Sequence, residues 1–178
     1  RNAYFHDNAS EPATVLWNLH ARSCSDSMQV RMGGTVKGNL SLQNPTAMTW
    51  GGNGTFSWNV AIDARDISAN DKRGIGFNLS GTGTILNNAC AYQQTGTENV
   101  TAFDLNGFSG SFTGNYVWSW KAPGGQGWAT AVQFNGGGGT VTLSGNRLYQ
   151  VGNGMCWRHE EAAFGSRFRY TGNQMFTT

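Results

Sequence analysis

Apolar residues along this chain alternate with polar ones over short runs, with almost no helical periodicity. Val30 and Met32 alternate in MQVRM, Phe77 and Leu79 in GFNLS, and Phe103 and Leu105 in AFDLN. Val132 and Phe134 do so in AVQFN, as do Val141 and Leu143 in TVTLS. Period-2 alternation bounded by Gly and Asn predicts short strands with one face buried. The segment EPATVLWNLHAR fits either a helical turn or a first strand, the kind of piece that caps an open end.

The strands recur to a common design. GGTVKGN (33–39), GGNGTFSWN (51–59), GTGTILNN (81–88), GFSGSFTGN (107–115), GGGGTVTLSGN (136–146) and GSRFRYTGN (165–173) each open on a Gly turn. Each continues as a short alternating strand and closes on Asn. The closing residues Asn39, Asn59, Asn88, Asn115, Asn146 and Asn173 are spaced by 20, 29, 27, 31 and 27. Such steps match one supersecondary unit per coil of a solenoid. Gly and Asn suit the corners because left-handed backbone is cheap for Gly and tolerable for Asn. Stacked Asn side chains can also hydrogen-bond from coil to coil. The predicted fold is all-β, a parallel β-helix over 30–178 behind an N-terminal cap or linker over 1–29. The alternative is an antiparallel sandwich or jelly roll in which the same Gly-Asn pairs are hairpin turns.

The longer coils carry extra residues at 63–74, 91–100, 117–130 and 156–163. In a solenoid such excursions leave from one face, where binding concentrates.

Composition narrows the class. The chain has 26 Gly against 3 Pro, only 12% charged residues and 7 Trp. A charge-poor surface rich in Asn, Ser, Thr and Trp suits a virion or extracellular protein, and the aromatic content argues against disorder. The net charge of +2, with basic residues scattered, gives no nucleic-acid footprint. Arg167 and Arg169 read as a solvated strand face. Cys24, Cys90 and Cys156 show neither disulfide framework nor metal spacing and read as small buried residues. No apolar run reaches membrane-spanning length. The chain opens on Arg1, which implies processing or a piece of something larger. Sequons occur at Asn8, Asn39, Asn53, Asn78 and Asn99.

Repeats such as FDLNGFSGSFTGN and VQFNGGGGTVTLSGN resemble the right-handed parallel β-helices of phage tailspikes and tail fibres, and of polysaccharide lyases with that fold. The resemblance covers about 30–178. It implies a saccharide-facing protein with surface polysaccharide or other virion subunits as partners, and a homotrimer in the phage case.

Among candidate sites the aromatic stretch NYVWSWKAPGGQGW leads. Tyr116, Trp118, Trp120 and Trp128 would form a sugar-stacking platform with Lys121 assisting, and Trp118 and Trp120, two apart, would share one strand face. Packing of these rings within the insertion or between subunits is the competing reading. CWRHEEAAF brings His159 beside Glu160 and Glu161, but adjacent carboxylates point to opposite strand faces and cannot flank a glycosidic bond. His159, Glu160 and Asp104, with Asp63, Asp66 and Glu161, are the residues a depolymerase would draw on. DARDISANDKR, with Asp63, Asp66, Asp71, Lys72 and Arg73, matches no calcium-loop spacing, so no metal or cofactor is expected. GGGG at 136–139 lacks the lysine and helix of a phosphate loop. The expected function is a non-enzymatic virion or cell-surface module binding a host glycan or neighbouring subunits. A lyase or depolymerase fragment and a purely structural fibre or capsid-decoration protein are the alternatives.

Overall fold

The computed structural model describes residues 3–5, 11–23, 26–64, 74–93, 100–121, 129–150, 154–159 and 164–177. They build a parallel β-solenoid in storeys. The first contains β1 (Ala3–Phe5), β2 (Ala13–Leu16) and β3 (Leu19–Ala21). The second holds β4 (Asp26–Val30), β5 (Gly34–Lys37) and β6 (Leu40–Leu42), and the third β7 (Thr46–Trp50), β8 (Asn53–Ser57) and β9 (Val60–Ile62). In the fourth and fifth, two strands merge into one that turns a corner: β10 (Gly74–Leu86) precedes β11 (Ala89–Gln93), and β12 (Val100–Thr113) precedes β13 (Tyr116–Trp120). β14 (Ala129–Asn135), β15 (Val141–Ser144) and β16 (Arg147–Gln150) follow. The last storey has β17 (Gly154–His159), one helical turn α1 (Phe164–Arg167), β18 (Phe168–Thr171) and β19 (Gln174–Thr177).

Strands stack into three rows. The first runs β1-β4-β7-β10-β12-β14-β17, and the second β2-β5-β8-β10-β12-β15-β18. The third is the separate seven-stranded sheet β3-β6-β9-β11-β13-β16-β19. Pairing is parallel at every junction. The sandwich alternative is therefore excluded, since hairpins would pair neighbours antiparallel. The segment that fitted a helical turn or a strand is strand, β2 and β3.

Equivalent residues stack inside. Val36, Phe56, Ile85, Phe112 and Leu143 line the second row, and Met28, Met48, Phe77, Phe103 and Val132 the first, all fully buried. Phe77 packs on Phe56 at 5.1 Å and on Phe103 at 5.2 Å between ring centroids. Phe103 meets Phe112 edge-on at 5.0 Å. Each such pair contributes about 0.5–1.5 kcal/mol beyond the area it buries.

The corner between the second and third rows is an asparagine ladder. Asn88 donates from its backbone N and its Nδ2 to Asn115 Oδ1, at 2.9 and 3.0 Å. Asn115 does the same to Asn146 Oδ1. The pattern repeats through Asn18, Asn39, Asn59, Asn88, Asn115, Asn146 and Asn173. From Asn39 onward each Nδ2 also donates to a carbonyl of the preceding storey, as Asn115 does to Ile85 O. Buried corner amides are thereby satisfied without water. Six of these rungs are the closing Asn residues of the repeat. Before every rung the chain is left-handed, at Trp17, Gly38, Trp58, Asn87, Gly114, Gly145 and Gly172, with φ between 54° and 71°. A buried rung at Asn39 also removes one sequon from glycosylation.

The corner between the third row and the next first-row strand has its own left-handed column, four residues past each of the first five rungs: Arg22, Gln43, Asp63, Tyr92 and Ser119, φ 50–56°. The residue after each of these is buried: Ser23, Asn44, Ala64, Gln93 and Trp120. Three of the four expected excursions leave here, after β9, β11 and β13. The fourth leaves after β17, at the first-to-second-row corner. Residues 91–93, 117–120 and 156–159, expected in the excursions, are instead regular strand in β11, β13 and β17, and 65–73, 94–99, 122–128 and 160–163 lie outside the described residues.

One expectation about polar residues changes. Arg167 is buried, not a solvated strand residue. Its guanidinium donates to Gly139 O at 2.7 Å, to Gly136 O at 3.0 Å and to Phe108 O. The GGGG run is thus a bend whose carbonyls turn toward one internal cation. Arg169 is exposed.

Candidate functional site

The third row is largely apolar on its outward as well as its inward side, and at His20 and Ser41 the usual polarity is inverted. Its inward positions are His20, Ser41, Ala61, Cys90, Val117 and Leu148, all buried. Its outward positions run in two registered columns. One is Leu19, Leu40, Val60, Ala89, Tyr116, Arg147 and Gln174, and the other Ala21, Leu42, Ile62, Ala91, Trp118, Tyr149 and Phe176. β6 shows the inversion most clearly: Leu40 and Leu42 face out while Ser41 faces in and accepts from Asn44 Nδ2 at 2.6 Å. An apolar outward face spanning seven stacked strands is far more than the scattered apolar residues of an ordinary surface.

This face carries an aromatic strip at one end and an aliphatic groove at the other. At one end Tyr116, Trp118, Tyr149 and Phe176 form a continuous aromatic strip. Trp118 lies 5.4 Å from Tyr149, and Tyr149 stacks on Phe176 at 4.7 Å with 5° between planes. Burial, then the neighbouring Tyr149 and Tyr92 hydroxyls, raise the Tyr116 pKa, which Arg147 partly opposes. At the other end an open groove of about 700 Å³ runs along Ala21, Leu42 and Ile62 to Tyr92. Its rim is a polar rail: Arg22 Nε donates to Gln43 Oε1 at 3.1 Å, and Gln43 Nε2 to Asp63 Oδ2 at 3.3 Å. Between the two ends stand Ala89 and Ala91 of β11, with the half-exposed Tyr92 beside them.

The sequence-based platform divides accordingly. Tyr116 and Trp118 lie on this face, Trp118 at 41% exposure, and Lys121 is exposed just beyond β13. Trp120 is not on it: the ring is fully buried. Left-handed Ser119 breaks the two-residue alternation, so the residue after it turns inward, as at the four equivalent corners. Trp128 lies outside the described residues. Tyr149, Phe176 and Tyr92 complete the patch and carry no signal in the stretch 116–128.

The acid–base candidates among the described residues do not converge. Glu160, Glu161 and Asp66 lie outside the described residues. Asp104 sits in the outward column of the first row and accepts from Asn135 Nδ2 at 2.7 Å. His159 is in register with inward Leu105 and Phe134, stacks on Phe134 at 4.6 Å, and bonds Tyr170 Oη through Nε2 at 2.9 Å. Asp104 and His159 therefore belong to opposite sides of one wall. Asp63 is a corner residue of the rail on another side. Among the described residues no three His, Cys, Asp or Glu side chains cluster for a metal. Cys90, in the core, and Cys156, packed against it, are free thiols whose pKa burial raises.

The first row presents a different surface. Gln29, Thr49, Asn78, Asp104, Gln133 and Arg158 occupy one outward column. A shallow trough of about 370 Å³ opens beside it between Arg31, Thr49, Gly51, Asn78, Ser80 and Asn106. No helix among the described residues is long and apolar enough to cross a membrane.

The chain is a three-sided parallel β-solenoid with one polar and one apolar long side. No family model, curated protein or solved structure matches it.

Proposed function

We propose that this protein is a non-enzymatic building block of a virion or cell-surface appendage, a β-solenoid rod whose third side seats against neighbouring subunits. The observation that supports this is the outward face from Leu19 to Phe176, apolar except at Arg147 and Gln174. A sugar platform needs a few flat rings beside hydrogen-bonding groups. Here the rings continue into an aliphatic surface with no polar column between them, which suits a protein partner better. Iodide quenching tests the reading. Trp118 emission, isolated by comparison with Trp118→Phe, is quenched in the dilute chain and shielded once the chain assembles. Quenching that stays the same in the assembled appendage refutes it.

The polar first side supports a second role, contact with a surface glycan. Its amides and hydroxyls, bonded into a mesh through Asp104, Asn135 and Gln133, match the hydrogen-bonding chemistry of saccharide hydroxyls. On a glycan array, Asn78→Ala and Asn106→Ala lower binding while Trp118→Ala leaves it unchanged. The opposite pattern returns the glycan to the aromatic strip.

A further inference from the structure

We infer that the second side carries a flat net of hydroxyl groups that binds the surface of ice. This is a further function, on a side that the subunit seam and the glycan contact both leave open.

The outward side chains of the second row repeat from storey to storey. Thr14, Thr35, Thr55, Thr84, Ser111 and Thr142 stand in one outward column, one to a storey over six successive storeys. Two residues further along each strand runs a second outward column, with Ser57, Leu86, Thr113 and Ser144 in the third to sixth storeys. Between the columns the fully buried Phe56, Ile85, Phe112 and Leu143 stack on one another and hold both at one level. Storeys repeat at about 4.8 Å, and residues two apart on a strand stand about 6.6 Å apart. The result is a rectangular net, uncharged from Thr55 to Ser144. Lys37 and Arg169 bracket it in the storeys before and after.

Hydroxyls that diverge from a wall cannot close around one small molecule. These point the same way at equal intervals, so the ligand they fit repeats at the same interval. The β-branched Thr side chain is restricted in χ1, which orders its hydroxyl before any ligand arrives. Stacked side-chain ladders keep such a wall flat over many strands.

Ice is a ligand of this kind. Rows of oxygen atoms on the faces of ordinary ice repeat at an interval close to that of the storeys. Each hydroxyl both donates and accepts, as each water of the lattice does. Ser111 Oγ donates to Thr84 Oγ1 at 3.3 Å, which leaves Thr84 its own proton and Ser111 its lone pairs for water. Ser57 adds an independent sign. It is only 4% exposed, and its hydroxyl has no partner among the described residues, so a water outside the chain must satisfy it. A crystalline polysaccharide also repeats, but flat sugar faces are matched by aromatic rings, and neither column holds one from Thr55 to Ser144.

The test uses the chain itself. A seeded ice hemisphere is grown slowly in its solution, and the share of chain taken into the ice is compared with that of a protein that does not bind ice. Thermal hysteresis is read on the same sample. The expected result is uptake into the ice with measurable hysteresis. Thr84→Lys, pointing to solvent at the centre of the net, lowers hysteresis at equal concentration at least about tenfold while circular dichroism stays unchanged. Asn78→Lys on the first side and Ala89→Lys on the third leave it as it is. Should Thr84→Lys fail to fold, Thr142→Lys makes the same comparison. Exclusion of the chain from ice overturns the inference, as does sedimentation with powdered cellulose or chitin in place of uptake into ice. Equal losses from Thr84→Lys and Asn78→Lys overturn the placement on the second side. The seam on the third side stands or falls separately, by the shielding of Trp118.

Discussion

Replacing Asn115 by alanine removes one rung from the middle of the ladder. Four side-chain hydrogen bonds disappear: Nδ2 to Ile85 O and to Asn146 Oδ1, and the two that Oδ1 accepts from Asn88 N and Nδ2. Asn115 N still bonds Asn146 Oδ1, and Asn88 Nδ2 still reaches Phe56 O. What remains orphaned is the buried Asn88 N–H and one Nδ2 proton of Asn88, beside a cavity the size of the lost carboxamide. Each buried orphan costs about 1–3 kcal/mol. A total loss of about 3–5 kcal/mol follows, a large part of the 5–15 kcal/mol that holds a domain of this kind together. Asn173→Ala is the internal control. That rung is only partly buried, so water replaces its bonds and the loss stays near 1 kcal/mol. Urea unfolding midpoints give the two values, and native-state hydrogen exchange at the Asn88 amide reports the break locally. Equal small losses for both variants, with Asn88 exchange unchanged, would refute the idea that the ladder holds the corner.

The remaining predictions are shorter. Trp120→Ala destabilises by about 3–5 kcal/mol, as expected for emptying a fully buried ring site, whereas Trp118→Ala changes the dilute chain by less than about 1 kcal/mol. Thermal or urea unfolding separates them, and equal effects contradict the inward turn at Ser119. Arg167→Lys loses the fork that reaches three carbonyls and costs about 2–3 kcal/mol in the same assay. A neutral result would show that the glycine bend stands without it. His20 is held below its ordinary pKa near 6.5 by burial. The unfolded chain then takes up the proton first, so stability is full above about 6.5 and falls as pH drops toward the lowered folded value. His20→Gln flattens that slope between pH 7 and 5, and an unchanged slope assigns it to another group.

Much of the wall was legible because its chemistry repeats. Gly before Asn marks four of the seven rungs, and Asn59 and Asn88 each close the same pattern of a Gly turn followed by a short alternating strand. Asn18 was missed because its storey lacks the opening Gly, yet TVLWNL at 14–19 parallels TFSWNV at 55–60 closely enough to have revealed it. The third side was not legible from alternation. Leu40-Ser41-Leu42 reads as leucines in and serine out, and the reverse holds because Ser41 finds a partner in Asn44 while the leucines form part of the outer face. The Trp120 placement failed for a different reason. Left-handed backbone at Arg22, Gln43, Asp63, Tyr92 and Ser119 is imposed by the corner, not advertised by residue type. Counting four residues past each rung would have located it. Phe176 and Tyr149 join Trp118 only through the parallel register, which short-range pattern does not carry.

Hydroxyl-radical footprinting of the assembled protein, read residue by residue by mass spectrometry, tests the apolar seam most directly. Relative to the dilute chain, Leu19, Leu42, Ile62, Trp118, Tyr149 and Phe176 should lose reactivity together, while Tyr4, outward on the first side and 41% exposed, keeps its own. Protection confined to Tyr4 and its neighbours, or spread evenly over all three sides, would contradict the account.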